Sequence, residues 1–372
     1  MAQTCNLPFP EWQLRTDAAL SWLRRSIEVT GGKGSSHSYR PLFGWEKAYP
    51  ETTGYLIDTL FDYALVKQDD SLRGLAFGCA DWLVSIQLPD GAFPGLLAGN
   101  KEPSVFNTSQ ILFGLSRAFT EGRSANQAVF DALVRATEWL LSQLEPDFSW
   151  RKHGYVPGFT PSYYTRAVWA VLKANQVIQN NEIQEVMRSA LLYYSERMLP
   201  NGAVRDWGFR AGKPAFTHTI AYTLEGFLES AVLLEEKEII EKKILTGEKL
   251  LSVVEMNNGR TAGCYDERWR GDYSFLCTTG NCQLSIFYQR LWELTDREDF
   301  REASHRFLME TIGCQRLGNN INTYGALPGS APVWGPYARF RYPNWGVKFL
   351  LDALGIRRVG AASYTSGPPF AL

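Results

Sequence analysis

Apolar positions recur at helical spacing along nearly all of this 372-residue chain, and the periodicity predicts about twelve helices. They fall at 12–28, 51–66, 71–87, 104–120, 126–144, 162–178, 182–198, 217–234, 237–255, 274–294, 297–312 and 343–354. The alternation expected of strands is almost absent. The helices come in two kinds that alternate: six rich in Gly, Thr, Tyr and other aromatic residues, and six of ordinary amphipathic pattern. A helix apolar on all sides is buried, whereas one with a polar face lies outside. The predicted fold class is therefore all-α, an (α/α)6 toroid of about twelve helices in two concentric rings, with the small and aromatic set inside.

An internal repeat supports this arrangement. Thr53, Thr108, Thr165, Thr219 and Thr279 mark helix starts 55, 57, 54 and 60 residues apart, and Asn344-Trp345 opens a sixth segment. Turns at Asp90-Gly91, Asp147-Phe148, Asn201-Gly202 and Asn258-Gly259 follow out of phase, with steps of 57, 54 and 57 residues. A period of this length is that of a helical hairpin repeat. It runs from end to end, so residues 1–372 are expected to form one domain, with 1–11 as an N-terminal extension and 356–372 as a C-terminal tail.

Link lengths distinguish the two faces of such a ring. Links from inner to outer helices are short, as at Lys67 to Asp70 or Glu235 to Glu236, and Asp69 or Asp70 in the first of them reads as a helix cap. The return links run to about 15–30 residues, well beyond the usual connection, and hold Trp45, Trp150, Trp207, Trp269 and Trp334 together with Tyr39, Tyr49, Tyr155 and Tyr337. Long loops on a rigid scaffold are where binding concentrates. These aromatics either pin the loops to the ring or receive a flat, hydroxyl-rich ligand such as a sugar.

If the long loops feed the inner helices, six helix N-termini converge on one mouth, and their unpaired N–H groups favour an anion there. Thr52, Asn107, Tyr164, His218, Thr278 and Asn344 precede the matched positions. Thr and Asn are common N-caps, but Tyr164 and His218 are poor ones and point to another role. One turn further in, the same face carries Tyr55, Gln110, Arg166, Tyr222, Glu225, Gln283 and Lys348. Ionisable groups on an inner wall require partners or a ligand. His218, Tyr222 and Glu225 lie on one stripe of one helix, and Glu51 sits in a first turn where the dipole favours an acid. The candidate catalytic residues are His218, Tyr222, Glu225, Tyr164 and Glu51; Asn107, Gln110, Arg166, Tyr55, Gln283, Lys348 and the five tryptophans are candidate substrate contacts.

Composition narrows the partners. A formal net charge of −1 gives no general attraction for nucleic acid or anionic lipid. No run of eighteen apolar residues and no basic-then-apolar leader is present, so neither a membrane span nor secretion is expected. Six cysteines are few for this length and fit reduced thiols in a cytoplasm. No metal or cofactor is expected; Cys277 and Cys282 have no nearby histidine.

The paired-helix repeats, with turns such as Gln87-Leu88-Pro89-Asp90-Gly91-Ala92-Phe93, resemble the α/α toroids of the squalene cyclase and protein prenyltransferase superfamily. The acid motif of the cyclases and the zinc sets of the prenyltransferases and lanthipeptide cyclases are missing. Tyr49 to Tyr55, Phe216 to Gly226, Cys277 to Gln283 and Asn344 to Phe349 look like bacterial toroid proteins of surface polysaccharide synthesis. They look equally like the barrels of polysaccharide lyases, uronyl epimerases and unsaturated glycuronyl hydrolases.

This resemblance implies a protein of bacterial polysaccharide metabolism that takes an anionic oligo- or polysaccharide and acts by lyase or epimerase chemistry on a uronate. His218 or Tyr222 would take the proton, Tyr164 or Glu225 would return one, and Asn107 with Arg166 would hold the carboxylate. A glycoside hydrolase using Glu51 and Glu225 is the alternative within enzymes. A glycan-binding scaffold and a terpenoid cyclase-like protein are alternatives of other classes.

Overall fold

A computed structural model describes residues 8–122 and 126–362, with side chains described as far as 355. Twelve α-helices appear among them. Six form the inner wall: α2 (Pro50–Lys67), α4 (Val105–Glu121), α6 (Thr165–Ile178), α8 (Thr217–Leu234), α10 (Thr278–Thr295) and α12 (Asn344–Ala362). Each packs against the next, and α12 packs against α2, so the ring closes. The outer helices are α1 (Phe9–Glu28), α3 (Asp70–Ile86), α5 (Gln127–Ser142), α7 (Asn181–Ser195), α9 (Lys237–Met256) and α11 (Glu298–Ile312). The first of these, α1, lies on the last inner helix, where the Trp12 indole donates to the Leu354 carbonyl at 2.9 Å. The predicted tail was set too early, because α12 runs on through 356–362. The first residues of the expected N-terminal extension lie outside the described residues.

The core follows from the two sequence patterns. In α8 nearly every side chain from Thr217 to Leu228 is buried, while α5 buries one face through Val129, Ala132, Leu133, Ala136 and Leu140. Inner backbones approach closely near the mouth. A Cβ on Gly226 would lie 2.4 Å from the Arg166 nitrogen, and one on Gly280 would lie 2.5 Å from the His218 nitrogen. Only glycine permits such contact between neighbouring helices.

Short links have a local cause. Gln68, Gln179, Glu235 and Asp296 end α2, α6, α8 and α10 in the left-handed region, which reverses the chain within a few residues. Asp69, as expected, then caps α3 by accepting from the Ser71 amide at 2.9 Å.

On the opposite face the long links are joined to one another by strands of two or three residues, which the helical pattern did not predict. β1 (Ser38–Arg40) lies between β2 (Gly44–Trp45) and β8 (Tyr342–Pro343), with Tyr39 opposite both Trp45 and Tyr342. β3 (Ala215–Phe216), β4 (Cys264–Tyr265) and β5 (Gly271–Asp272) form a second sheet; β6 (Leu276–Cys277) and β7 (Ser330–Ala331) form a third. Two residues are too few to display a period of two, so these elements leave no signal in the sequence.

Candidate active site

The first turns of the inner helices face the mouth, but the capping expected of Thr52, Asn107, Thr278 and Asn344 is replaced by another role. The cap positions fall earlier, at Tyr49, Ser104 and Cys277. Thr52 Oγ1 accepts from Asn344 Nδ2 at 2.7 Å, Asn107 Nδ2 donates to the Pro94 carbonyl at 3.1 Å, and the Thr278 hydroxyl donates to the Pro328 carbonyl. The first bond joins α2 to α12, and the other two stitch incoming loops to the ring.

One turn deeper, Arg166 occupies the centre. Its Nε donates to Gln110 Oε1 at 2.7 Å and its Nη1 to Glu225 Oε2 at 2.5 Å, while Nη2 makes no hydrogen bond among the described residues. The guanidinium lies 4.6 Å from the ring centre of Tyr222, with Tyr55, Phe113, Trp169 and Phe349 within 6 Å. Tyr222 bonds to the Tyr55 hydroxyl at 3.3 Å. Lys348 faces the rings of Tyr55 and Phe349 and is paired with Asp352. The sequence stripe thus converges: Tyr55, Gln110, Arg166, Tyr222, Glu225 and Lys348 form one cluster.

Burial sets the proton affinities. It pushes the Glu51 carboxyl up to about 7 against the hydrogen bond from Tyr49 and the charge of Arg166. The Tyr49 hydroxyl donates to Glu51 Oε2 at 2.5 Å. Burial likewise raises Glu225 to about 7, opposed by Arg166 and Lys348, and its Oε1 is buried with no hydrogen-bond partner among the described residues. His218 moves the other way: burial, with Arg166 adding to it, lowers the imidazole to about 3. Its Nδ1 meets Gln283 Oε1 at 2.6 Å, so Nδ1 carries the hydrogen and Nε2 keeps its lone pair. Tyr222 is raised by burial and is a donor, not a base.

Some expected contacts lie elsewhere. Tyr164 is fully buried, and its hydroxyl lies beneath the covering link at Gly154. Trp150 is fully buried and donates to the Leu140 carbonyl at 2.9 Å. Trp207 packs edge-on against Trp269, which donates to the Asn201 carbonyl at 3.0 Å. Trp45 packs against Trp22 and Tyr39. All four pin loops through their apolar area, and Trp150 and Trp269 add a donor for a carbonyl. Trp334 alone of the five is mostly exposed.

A group missed from sequence adjoins Glu51. His37 Nδ1 lies 2.8 Å from Glu46 Oε2, and Arg341 Nη1 donates to both Glu46 oxygens at 2.9 and 2.7 Å. Burial alone would raise the Glu46 carboxyl, but the hydrogen bonds of His37 and Ser38 and the charge of Arg341 hold it at about 2. His37 and Glu46 lie in the link before α2 and Arg341 in the link before α12, both without periodicity. Asp58, Asp62, Glu229 and Asp352 continue the inner stripe below Arg166, and their spacing from Glu51, Tyr55, Glu225 and Lys348 was a readable signal.

The hollow is narrow: Glu51 and Glu225 keep 8% and 6% of their exposure. A cleft of about 280 Å³ opens instead beside the α6–α7 link, lined by Asn175, Gln179 and Asn180 among others and holding no ionisable side chain. Among the described residues no group of three or more His, Cys, Asp or Glu side chains gathers as a metal site, and no helix is long and apolar enough to cross a membrane.

No family model matches the chain, and no curated protein matches it in sequence. Solved structures do match. An unsaturated glucuronyl hydrolase specific for heparin is 13% identical with a TM-score of 0.73, over 94% of this chain and 98% of that one. The unsaturated glucuronyl hydrolase from Bacillus sp. GL1, responsible for the degradation of glycosaminoglycan, is 13% identical with a TM-score of 0.72, over 94% and 97%. Cellobiose 2-epimerase from Bacillus thermoamylovorans is 11% identical with a TM-score of 0.72, over 94% and 99%. The fold is a six-hairpin α/α toroid. The resemblance drawn from the sequence to glycuronyl hydrolase barrels holds at the level of this toroid.

Proposed function

We propose that the protein is a carbohydrate-active enzyme that takes an acidic, uronate-containing glycan into the mouth of the toroid and moves a proton on its sugar ring, in β-elimination or C5-epimerisation. The observation that carries this reading is a buried arginine facing two buried carboxyl groups, one of them in direct contact with it, and burial pushes both up to about 7. Acid–base groups work best with pKa values close to the operating pH. Nη2 of Arg166, unpartnered among the described residues, suits with the convergent helix starts a sugar carboxylate, and neutralising that carboxylate makes the neighbouring C–H more acidic.

Glu225 is the proposed base, since Arg166 fixes one oxygen and leaves the other unpartnered. Glu51 is the acid for the opposite face in epimerisation. Neutral His218 and Tyr222 serve as hydrogen-bond partners for sugar hydroxyls, a change from the base expected on sequence grounds, because an imidazole lowered to about 3 is a poor proton acceptor. Asn107, Gln283 and Lys348 line the same wall, and Trp334 at the rim is the proposed outer sugar platform.

Hydrolysis is the second reading, favoured by the same pair of carboxyl groups. The neighbouring toroids that act on glucuronyl sugars accord with either reading. Incubation with uronate oligosaccharides in D2O separates the outcomes: ultraviolet absorbance marks elimination, deuterium at C5 marks epimerisation, and new reducing ends with neither mark hydrolysis. Binding without any product would sink all three and leave a glycan-binding scaffold.

A further inference from the structure

His37 stands at the rim of this hollow with its Nδ1 edge committed and its other edge available. Nδ1 faces Glu46 Oε2 at 2.8 Å and Ser38 Oγ at 3.1 Å, and among the described residues no hydrogen bond reaches Nε2. The ring is held between Tyr49, at 5.0 Å between centres, and Trp345, at 4.8 Å edge-on. Both neighbours lead into the site. The Tyr49 hydroxyl is on Glu51, and Trp345 Nε1 donates at 2.7 Å to the Tyr337 hydroxyl, whose ring covers His218 at 5.2 Å. His37 is only partly buried, whereas His218 is buried.

A carboxylate that fixes one imidazole nitrogen sets the tautomer and stabilises the protonated ring. Here the carboxylate is itself fixed by Arg341, with Arg40 3.8 Å away, so these groups and Tyr49 are the charged and titratable neighbours of the ring. We propose that His37 is the acid that protonates the oxygen leaving the sugar ring, with Glu46 as its positioning residue. This rests on the reading of the site as a glycan-cleaving centre and serves elimination and hydrolysis alike.

In elimination the C5 proton passes to Glu225 and its electron pair becomes the C4–C5 double bond. The C4–O bond breaks with its pair left on oxygen, and that oxygen takes the Nε2 proton of doubly protonated His37. Neutral His37 remains with its Nδ1–H on Glu46, and water restores both groups. No further reactant is required.

The test compares wild type, His37→Gln and Glu46→Gln on two uronate substrates, one with a sugar as leaving group and one with 4-nitrophenol, which leaves without an acid. On the sugar substrate kcat/KM is expected to fall about 100-fold or more for His37→Gln and about 10-fold for Glu46→Gln, with the acidic limb of the pH profile altered in both. On the nitrophenyl substrate each stays within about 3-fold of wild type. Equal losses on both substrates mean a structural role and overturn the inference while the functional reading stands. No loss on either overturns it as well. Wild-type inactivity on both substrates overturns the elimination and hydrolysis readings and this inference with them, and leaves epimerisation to the deuterium test. Should His37→Gln fail to fold, Glu46→Gln carries the same comparison.

Discussion

Arg166 is nearly fully buried, and its guanidinium binds Gln110 and Glu225 directly. Replacement by Met removes the partner and leaves Glu225 buried and unpaired, a change that costs about 3–5 kcal/mol. Denaturant unfolding of Arg166→Met should show this loss most fully above about pH 7, where the paired Glu225 is ionised, and a smaller one in acid, where it is protonated. Glu51 gives the clearer pH test. Its folded pKa of about 7 lies above the ordinary 4.5, so the folded state holds more protons between these values and stability falls as pH rises through that window. Glu51→Gln keeps an acceptor for Tyr49 and removes the penalty. It should raise stability at about pH 8 by up to about 3 kcal/mol and have little effect near pH 4, read from melting curves. The central residues were legible in sequence because helical spacing puts polar side chains of an otherwise apolar segment on one stripe. His37, Glu46 and Arg341 were not, since their meeting depends on pairing between two distant loops.

At the scale of elements, the alternation of inner and outer helices was readable because burial on all sides and burial on one face leave different patterns. The pinning role of Trp150, Trp207 and Trp269 was not, since an indole that grips a loop and one that stacks on sugar have the same sequence signature. The contact between α9 and α8 breaks the pattern. Lys243, on the outer helix, is wholly buried with its Nζ 4.7 Å from the ring centre of Phe227, and burial lowers it to about 7. A lysine depressed from 10.5 costs stability in full below pH 7, and the cost fades as pH rises toward 10.5. Lys243→Met should therefore stabilise the protein at about pH 7 by a few kcal/mol, with the gain vanishing near pH 10. Equal gains at both pH values would mean that packing, not charge, is the cause.

The whole molecule is a ring whose neighbouring walls touch backbone to backbone beside the chemistry. Gly226 abuts the Arg166 nitrogen and Gly280 the His218 nitrogen, so Gly226→Ala must push α6 from α8 and move the guanidinium with it. A loss of about 2 kcal/mol or more is expected, with activity falling further than the unfolded fraction explains. Closure itself has a consequence for the two carboxyl groups. Lys348 and Asn344 belong to the last helix, which seals the wall between α10 and α2 and receives α1 on its outside. Without that stave the wall would stand open to water between α10 and α2, and the burial that lifts Glu51 and Glu225 would be lost. A chain cut before Asn344 is therefore expected to hold both carboxyl groups nearer their ordinary values.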